Sequence, residues 1–96
     1  MSMGKKFENV DELKANGGNG DWAFILESEY QYIFVFLPVD KEPRALRLRA
    51  PGRPVEETPD MWDWDGNKEA PTLNPSILCR ITGWHGYMRA GVLVEV

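Results

Sequence analysis

The sequence predicts a mainly β fold of the α+β kind: a small antiparallel sandwich or partly open barrel of five or six strands with one short N-terminal helix. Two observations lead to this prediction. Apolar runs of strand length recur from residue 22 to the end of the chain, and one segment near the N-terminus carries helix-capping signals. A chain of 96 residues, 43% of them apolar, has the size of one domain, so we expect residues 1–96 to form a single core.

The helix is predicted in the N-terminal segment, residues 1–18. Asn9 suits the N-cap of the stretch VDELKAN, whose acidic residues fall in the first turn, and Gly17 suits the stop. Val10 and Leu13 lie three residues apart and would dock the helix on the core.

Three strand-like runs follow, at residues 22–27, 32–38 and 44–50, and their short connections predict an antiparallel meander. The second run is apolar on both faces, which predicts a strand inside a sheet covered on both sides. The third run alternates, so Arg47 and Arg49 should share an outward face about 7 Å apart.

Residues 51–75 show little periodicity and contain most of the prolines, which predicts a long ordered loop. Trp62 and Trp64 favour order, because a disordered segment is poor in aromatic residues. The stretch DWDGN at residues 63–67 partly resembles a calcium-binding loop, but its glycine comes too early and the bidentate glutamate is missing. We therefore interpret it as a tight turn.

The last third returns to strand. Residues 76–84 form one predicted strand, followed by a hairpin that turns through Arg89-Ala90-Gly91, where glycine supplies a positive φ. An extended stretch over residues 84–89 would place alternate residues on opposite faces. His85, Tyr87 and Arg89 share one face, and Trp84, Gly86 and Met88 share the other.

Composition excludes several classes of function. The net charge of -4 opposes non-specific binding to nucleic acid or to an anionic membrane. The single cysteine, Cys79, and the single histidine, His85, cannot supply a closed zinc site of the Cys/His kind, so no cofactor or metal ligand set is predicted. The N-terminus lacks the apolar stretch of a signal peptide, and we expect a cytoplasmic location.

His85 could act as a general base only beside a nucleophile and an orienting group. The neighbouring sequence suggests neither, so a non-catalytic role is favoured at this point.

The C-terminal third, Trp62 to about Val94, resembles a known group of proteins. The resemblance lies in WDWDGNKEAPTLNPSIL (62–78) and WHGYMRAGVL (84–93). These two stretches are similar to small phage and prophage proteins of unknown function that are sometimes mislabelled "ammonia monooxygenase". The resemblance implies no oxygenase activity. The positions it marks are Gly66, Asn67, Pro71, Thr72, Pro75, Ser76, His85 and Gly91.

The sequence and the resemblance together favour a non-catalytic phage-type accessory protein that counters a host defence by binding a small anionic or nucleotide-like ligand. The resemblance implies that it acts in the cytoplasm of a bacterial host. Aromatic rings would stack on the ligand, and guanidinium groups would bind phosphate or carboxylate. A homo-oligomer stays an open alternative. The predicted ligand-binding residues are His85, Tyr87, Arg89, Trp62, Trp64, Asn67, Thr72, Arg47 and Arg49.

Two alternatives belong to other classes. The acidic stretch from Glu56 to Asp65 would suit a protein-interaction module directed against a basic surface of a host protein. A small metal-dependent hydrolase centred on His85 would use the imidazole as a ligand at an open metal site.

Overall fold

A computed structural model of the protein describes residues 4–49 and 60–96. The helix and strands of these ranges are α1 (Val10–Asn16), β1 (Trp22–Ile25), β2 (Tyr32–Val35), β3 (Arg44–Arg47), β4 (Asp63–Trp64), β5 (Leu73–Leu78), β6 (His85–Arg89) and β7 (Val92–Glu95). The seven strands form two antiparallel sheets with the orders β1-β2-β3 and β4-β5-β6-β7. This confirms the predicted mainly β fold with one short helix, in which the sheets stay open and do not close into a barrel.

The helix α1 lies where its capping residues predict it. Asn9 Oδ1 accepts a hydrogen bond from the backbone N–H of Glu12 at 2.8 Å, and the N–H of Gly17 donates to the carbonyl of Leu13 at the other end. Leu13 is fully buried against Ala23 of β1 and against Phe36, which directly follows β2. The helix therefore covers the outer face of that sheet.

Strand β2 is the central strand of the first sheet, as its apolar character on both faces predicts. Ile33 and Val35 are fully buried in the main core. Phe34 points to the opposite face and packs in the smaller cluster beneath α1. The apolar run of residues 32–38 is thus explained by burial on two sides.

The main core is shared by both sheets. Trp22, Leu46 and Leu48 contribute from the first sheet and its continuation, and Leu73 and Met88 contribute from the second. Each of these side chains is at most 5% exposed. Burial of this kind stabilises the fold by about 1.5–3 kcal/mol for each large apolar side chain.

The predicted loop over residues 51–75 is only partly a loop. Residues 51–59 lie outside the described ranges. Beyond them the chain forms β4, an additional strand that brings the described ranges to seven where five or six were predicted, and β5 begins at Leu73. The tight turn predicted at residues 63–67 is confirmed: Gly66 has a φ of 86°, and the N–H of Asn67 donates to Asp65 Oδ1 at 3.1 Å.

Two strand boundaries predicted near the C-terminus are wrong. The run 76–84 is divided, because Gly83 has a φ of 79° and the chain turns between Cys79 and Trp84. The last hairpin has a two-residue turn, with Arg89 paired to Val92, and not the three-residue turn that was predicted. Both turn residues, Ala90 and Gly91, have positive φ, which matches the right-handed twist of the strands.

No helix in the described part of the chain has the length and apolar character needed to cross a membrane.

An ion pair closes the turn before β3. The Asp40 carboxylate accepts hydrogen bonds from Arg44 Nε at 2.6 Å and Nη2 at 3.0 Å, and its side chain is 5% exposed. These hydrogen bonds from Arg44 hold the pKa of the Asp40 carboxyl below its ordinary value.

We expect Asp40→Asn to lower the free energy of unfolding by about 1–2 kcal/mol at neutral pH. Because the pKa of Asp40 is lower in the folded than in the unfolded protein, its contribution is complete above the unfolded value of about 4 and is lost as the pH falls through the folded value. Urea denaturation of both proteins should therefore give curves that converge in acid. Glu29→Gln, at an exposed bend, is the control. If wild type and Asp40→Asn differ in free energy of unfolding as much in acid as at neutral pH, the role assigned to the Asp40–Arg44 ion pair is wrong.

Candidate active site

The outer face of the second sheet carries the polar side chains of β6. His85 and Arg89 are exposed and Tyr87 is half-buried, whereas Gly86 and Met88 between them are buried. The placement of His85, Tyr87 and Arg89 on one face is therefore confirmed.

The central feature of this face is a contact between a serine and the histidine. Ser76 of β5 lies with its Oγ 2.9 Å from His85 Nε2 of the neighbouring strand. In the tautomer that carries its proton on Nδ1, the imidazole accepts the hydroxyl proton through Nε2. A serine hydroxyl hydrogen-bonded to an imidazole is the arrangement that nucleophilic acyl transfer requires.

A bulge in β5 lies between Leu73 and Ile77, directly beside Ser76. Leu73 pairs with Met88 and Ile77 pairs with Gly86, so four residue steps of β5 face two steps of β6. Proline interrupts a ladder because it has no N–H to donate, and Pro75 lies inside this irregular segment. The surplus is two residues, so Leu73 and Ile77 both stay on the buried face.

The hairpin between β5 and β6 fixes the register of the pair. Leu78 lies directly opposite His85, and the N–H of Cys79 donates to the carbonyl of Trp84 at 2.8 Å. Ser76, two residues before Leu78, is thereby a diagonal neighbour of His85. Side chains in diagonal positions of one sheet face are within mutual reach.

Trp62, which directly precedes β4, supports the backbone of Ser76. Its indole Nε1 donates to the Ser76 carbonyl at 3.3 Å, and its ring packs against the main core. The Trp62 backbone exchanges hydrogen bonds with Arg47 and Arg49, which extends the first sheet to the edge of the second.

Arg89 is held on the same face by two neighbours. Its guanidinium carbon lies 4.4 Å from the centroid of the Tyr87 ring, and Nη1 donates to Asn74 Oδ1 at 3.1 Å. Cation–π stacking and the hydrogen bond restrict the rotamers of a long side chain. The face thus presents an ordered positive charge on the same side of the sheet as the serine–histidine pair.

Apolar side chains surround the pair on the neighbouring strands. Leu78, opposite His85, is 56% exposed, and Val94, opposite Tyr87, is 40% exposed. Val96 continues the same face of the C-terminal strand and donates its N–H to the His85 carbonyl. These side chains give the face around the pair a mixed polar and apolar character.

The other predicted ligand-binding residues lie apart from this face or contact the protein itself. Arg47 stacks on the Tyr30 ring at 3.7 Å in the first sheet, and Trp64 packs on Phe24 with ring centroids 4.8 Å apart. Arg49 pairs with Asp63. The side chain of Asn67 accepts hydrogen bonds from the backbone N–H groups of residues 69 and 70, and the hydroxyl of Thr72 accepts one from the N–H of residue 90.

The outward placement predicted for Arg49 is wrong in one respect. Its side chain is only 5% exposed, because the guanidinium turns toward β4, where it pairs with Asp63 and donates to the Met61 carbonyl. Strands β4 and β5 separate the two arginines from β6. The predicted grouping of Arg47 and Arg49 with His85 is therefore not formed.

Cys79 is placed on the opposite, buried face. Its side chain belongs to the main core, and a hydrogen bond with Thr82 lowers the pKa of its thiol. In residues 4–49 and 60–96, no group of three or more His, Cys, Asp and Glu side chains is arranged to hold a metal ion.

Sequence reasoning missed Ser76 as a partner of His85. The resemblance marked the position, but no role was predicted for the hydroxyl. A signal was present: a hairpin turn at Thr82-Gly83 would place Ser76 diagonally across from His85. Because residues 76–84 were predicted as one strand, this turn was not predicted, and Ser76 was not placed across from His85.

Comparison with known proteins gives one family. The family model described as bacterial ubiquitination-like system serine protease (BubE) matches residues 40–96, more than half of the chain, including Ser76 and His85. No curated protein and no solved structure matches.

This match overturns the functional predictions made from the sequence. A family described by serine protease chemistry contradicts the non-catalytic phage-type protein that counters a host defence by binding a small anionic or nucleotide-like ligand. The match also supports neither of the two alternatives, an acidic interaction module and a metal-dependent hydrolase. The predicted likeness to a small family is confirmed, but that family is tied to a bacterial system and not to phages.

Proposed function

The chain belongs to the BubE family, and we propose that it is a serine protease of a bacterial ubiquitination-like system in which Ser76 is the nucleophile and His85 the general base. The observation that carries this proposal is the 2.9 Å contact between Ser76 Oγ and His85 Nε2. The only histidine in the chain lies within hydrogen-bonding distance of a serine, and both residues lie in the region that the family model matches.

The proposed reaction proceeds in two acyl-transfer steps. As Ser76 Oγ attacks the carbonyl carbon of the scissile peptide bond, its proton passes to His85 Nε2. The same proton then passes to the leaving nitrogen, the carbon–nitrogen bond breaks, and an ester of Ser76 remains. Water attacks this ester with His85 again as base, which releases the carboxylic acid and restores the hydroxyl.

The open position of the pair suits a polypeptide substrate. Ser76 is half-buried and His85 is exposed, and both lie on the surface of a sheet. A peptide laid across this face would contact Leu78 and Val94 while its carbonyl approaches Ser76. Apolar contacts of this kind would hold the peptide and exclude water from the reacting atoms.

A fluorophosphonate probe tests the proposal directly. Its phosphorus is attacked by an activated serine oxygen, fluoride leaves, and the enzyme carries a stable covalent adduct. We expect the intact protein to be labelled once per chain, and peptide mapping by mass spectrometry to place the adduct on Ser76. Ser76→Ala should remove the labelling entirely.

Ser28→Ala is the matched control. The Ser28 hydroxyl donates to the carbonyl of Tyr30 in an exposed bend and so has a backbone partner in place of an imidazole. This variant should be labelled at the wild-type rate. A wild-type protein that is folded but unlabelled, or an adduct on another serine, would overturn the assignment of Ser76.

A further inference from the structure

The side chain of Arg89 extends along the outer face of the sheet toward the serine–histidine pair. Tyr87, on which the guanidinium stacks, lies between Arg89 and His85 on β6. Asn74, which accepts the hydrogen bond from Nη1, lies two residues before Ser76 on β5. Both contacts therefore bring the positive charge closer to Ser76 than the separation of the backbones alone would place it.

The distance to the pair corresponds to a few residues of an extended peptide. The guanidinium carbon lies 4.4 Å from the centroid of the Tyr87 ring. Tyr87 is two residues from His85, which is about 7 Å along a strand, and an extended substrate advances about 3.3 Å per residue. A group that meets the guanidinium would then lie two or three residues from the bond attacked by Ser76.

The charge of Arg89 is compensated by neither of its neighbours. In the described part of the chain its partners are the neutral side chains of Tyr87 and Asn74. The acid next to Asn74 across the sheet is Asp63, and its carboxylate pairs with Arg49. An exposed guanidinium with restricted rotamers favours a carboxylate partner, which it binds through parallel hydrogen bonds.

On the basis of the proposed function, we propose that Arg89 is a specificity-determining residue that binds a carboxylate of the peptide substrate two or three residues from the scissile bond. The carboxylate has two possible sources, an aspartate or glutamate side chain or the free carboxyl terminus of the substrate. Both offer the same pair of oxygens to the guanidinium, and the experiment separates them.

The test uses the wild-type protein and a library of synthetic decapeptides that contains every residue type around each potential cleavage position. Each peptide is made with a free carboxyl terminus and as the terminal amide, and the products are identified by mass spectrometry. We expect peptides with a carboxylate two or three residues from the cleaved bond to react at least about tenfold faster than the matched glutamine, asparagine or amide peptides. Loss of the preference in terminal amides assigns it to the carboxyl terminus; its retention assigns it to a side chain.

Variants of Arg89 attribute the preference to this residue. Arg89→Gln should remove it, and Arg89→Glu should reverse it in favour of lysine at the same position. Lys14→Glu, an equal change of charge on the exposed side of α1, should keep the wild-type preference. Cleavage is expressed per enzyme labelled by the fluorophosphonate probe, so that a loss of folded protein is not read as a loss of specificity.

Equal rates for carboxylate and neutral peptides would overturn the role of Arg89, as would a preference that persists in Arg89→Glu. A protein that is labelled at Ser76 but cleaves none of the peptides would also overturn it. Absence of labelling would instead overturn the proposed function.

Discussion

Replacement of His85 with alanine is expected to slow fluorophosphonate labelling of Ser76 about a thousandfold, because the hydroxyl loses the group that accepts its proton. His85→Gln should be slowed to a similar degree, since an amide can hydrogen-bond to Ser76 Oγ but does not act as a base at neutral pH. The measurement is the second-order rate constant for labelling.

Loss of folding would not account for such a result. His85 is exposed, and its side-chain contact is the hydroxyl of Ser76, so both variants should melt within a few degrees of the wild-type protein. Chemical modification gives a second line of evidence. The chain has one histidine, so diethyl pyrocarbonate should abolish labelling of the untagged protein, and hydroxylamine should restore it. Labelling of His85→Ala at the wild-type rate would exclude His85 as the base.

The largest effect on stability is expected from Gly86→Ala, which we predict to lower the free energy of unfolding by about 2–3 kcal/mol. A Cβ at this position would lie 2.6 Å from the Trp84 ring and would also contact the backbone carbonyl of Val94. Those contacts are too short for carbon, and β7 would have to move away from β6. Because Gly86 follows His85 directly, the same shift should also slow labelling of Ser76.

Gly18→Ala provides the matched control for this substitution. It adds the same methyl group where no atom lies within 4 Å, at a glycine without positive φ. Urea denaturation should find its free energy of unfolding within about 0.5 kcal/mol of the wild-type value. Equal free energies of unfolding for Gly86→Ala and Gly18→Ala would show that the Trp84 ring does not pack over Gly86.

Local signals in the sequence were sufficient for the helix, the first sheet and the alternation of β6. Asn9 and Gly17 define the ends of α1, and the apolar run at residues 32–38 identifies the central strand β2. Each of these features depends on residues close together in the chain. The turn at Gly83 and the bulge around Pro75 were not predicted, because several backbone paths are compatible with the same apolar residues.

What the sequence by itself determined is which side of β6 faces outward, because the alternation of a strand places His85, Tyr87 and Arg89 together whatever their neighbours are. Only the tertiary structure decided what His85 meets. Ser76 lies on a different strand, and a shift of one residue in the pairing of β5 and β6 would have turned its hydroxyl to the core. The hairpin turn selects the register, and it places a serine, which the sequence alone left without a role, 2.9 Å from the imidazole.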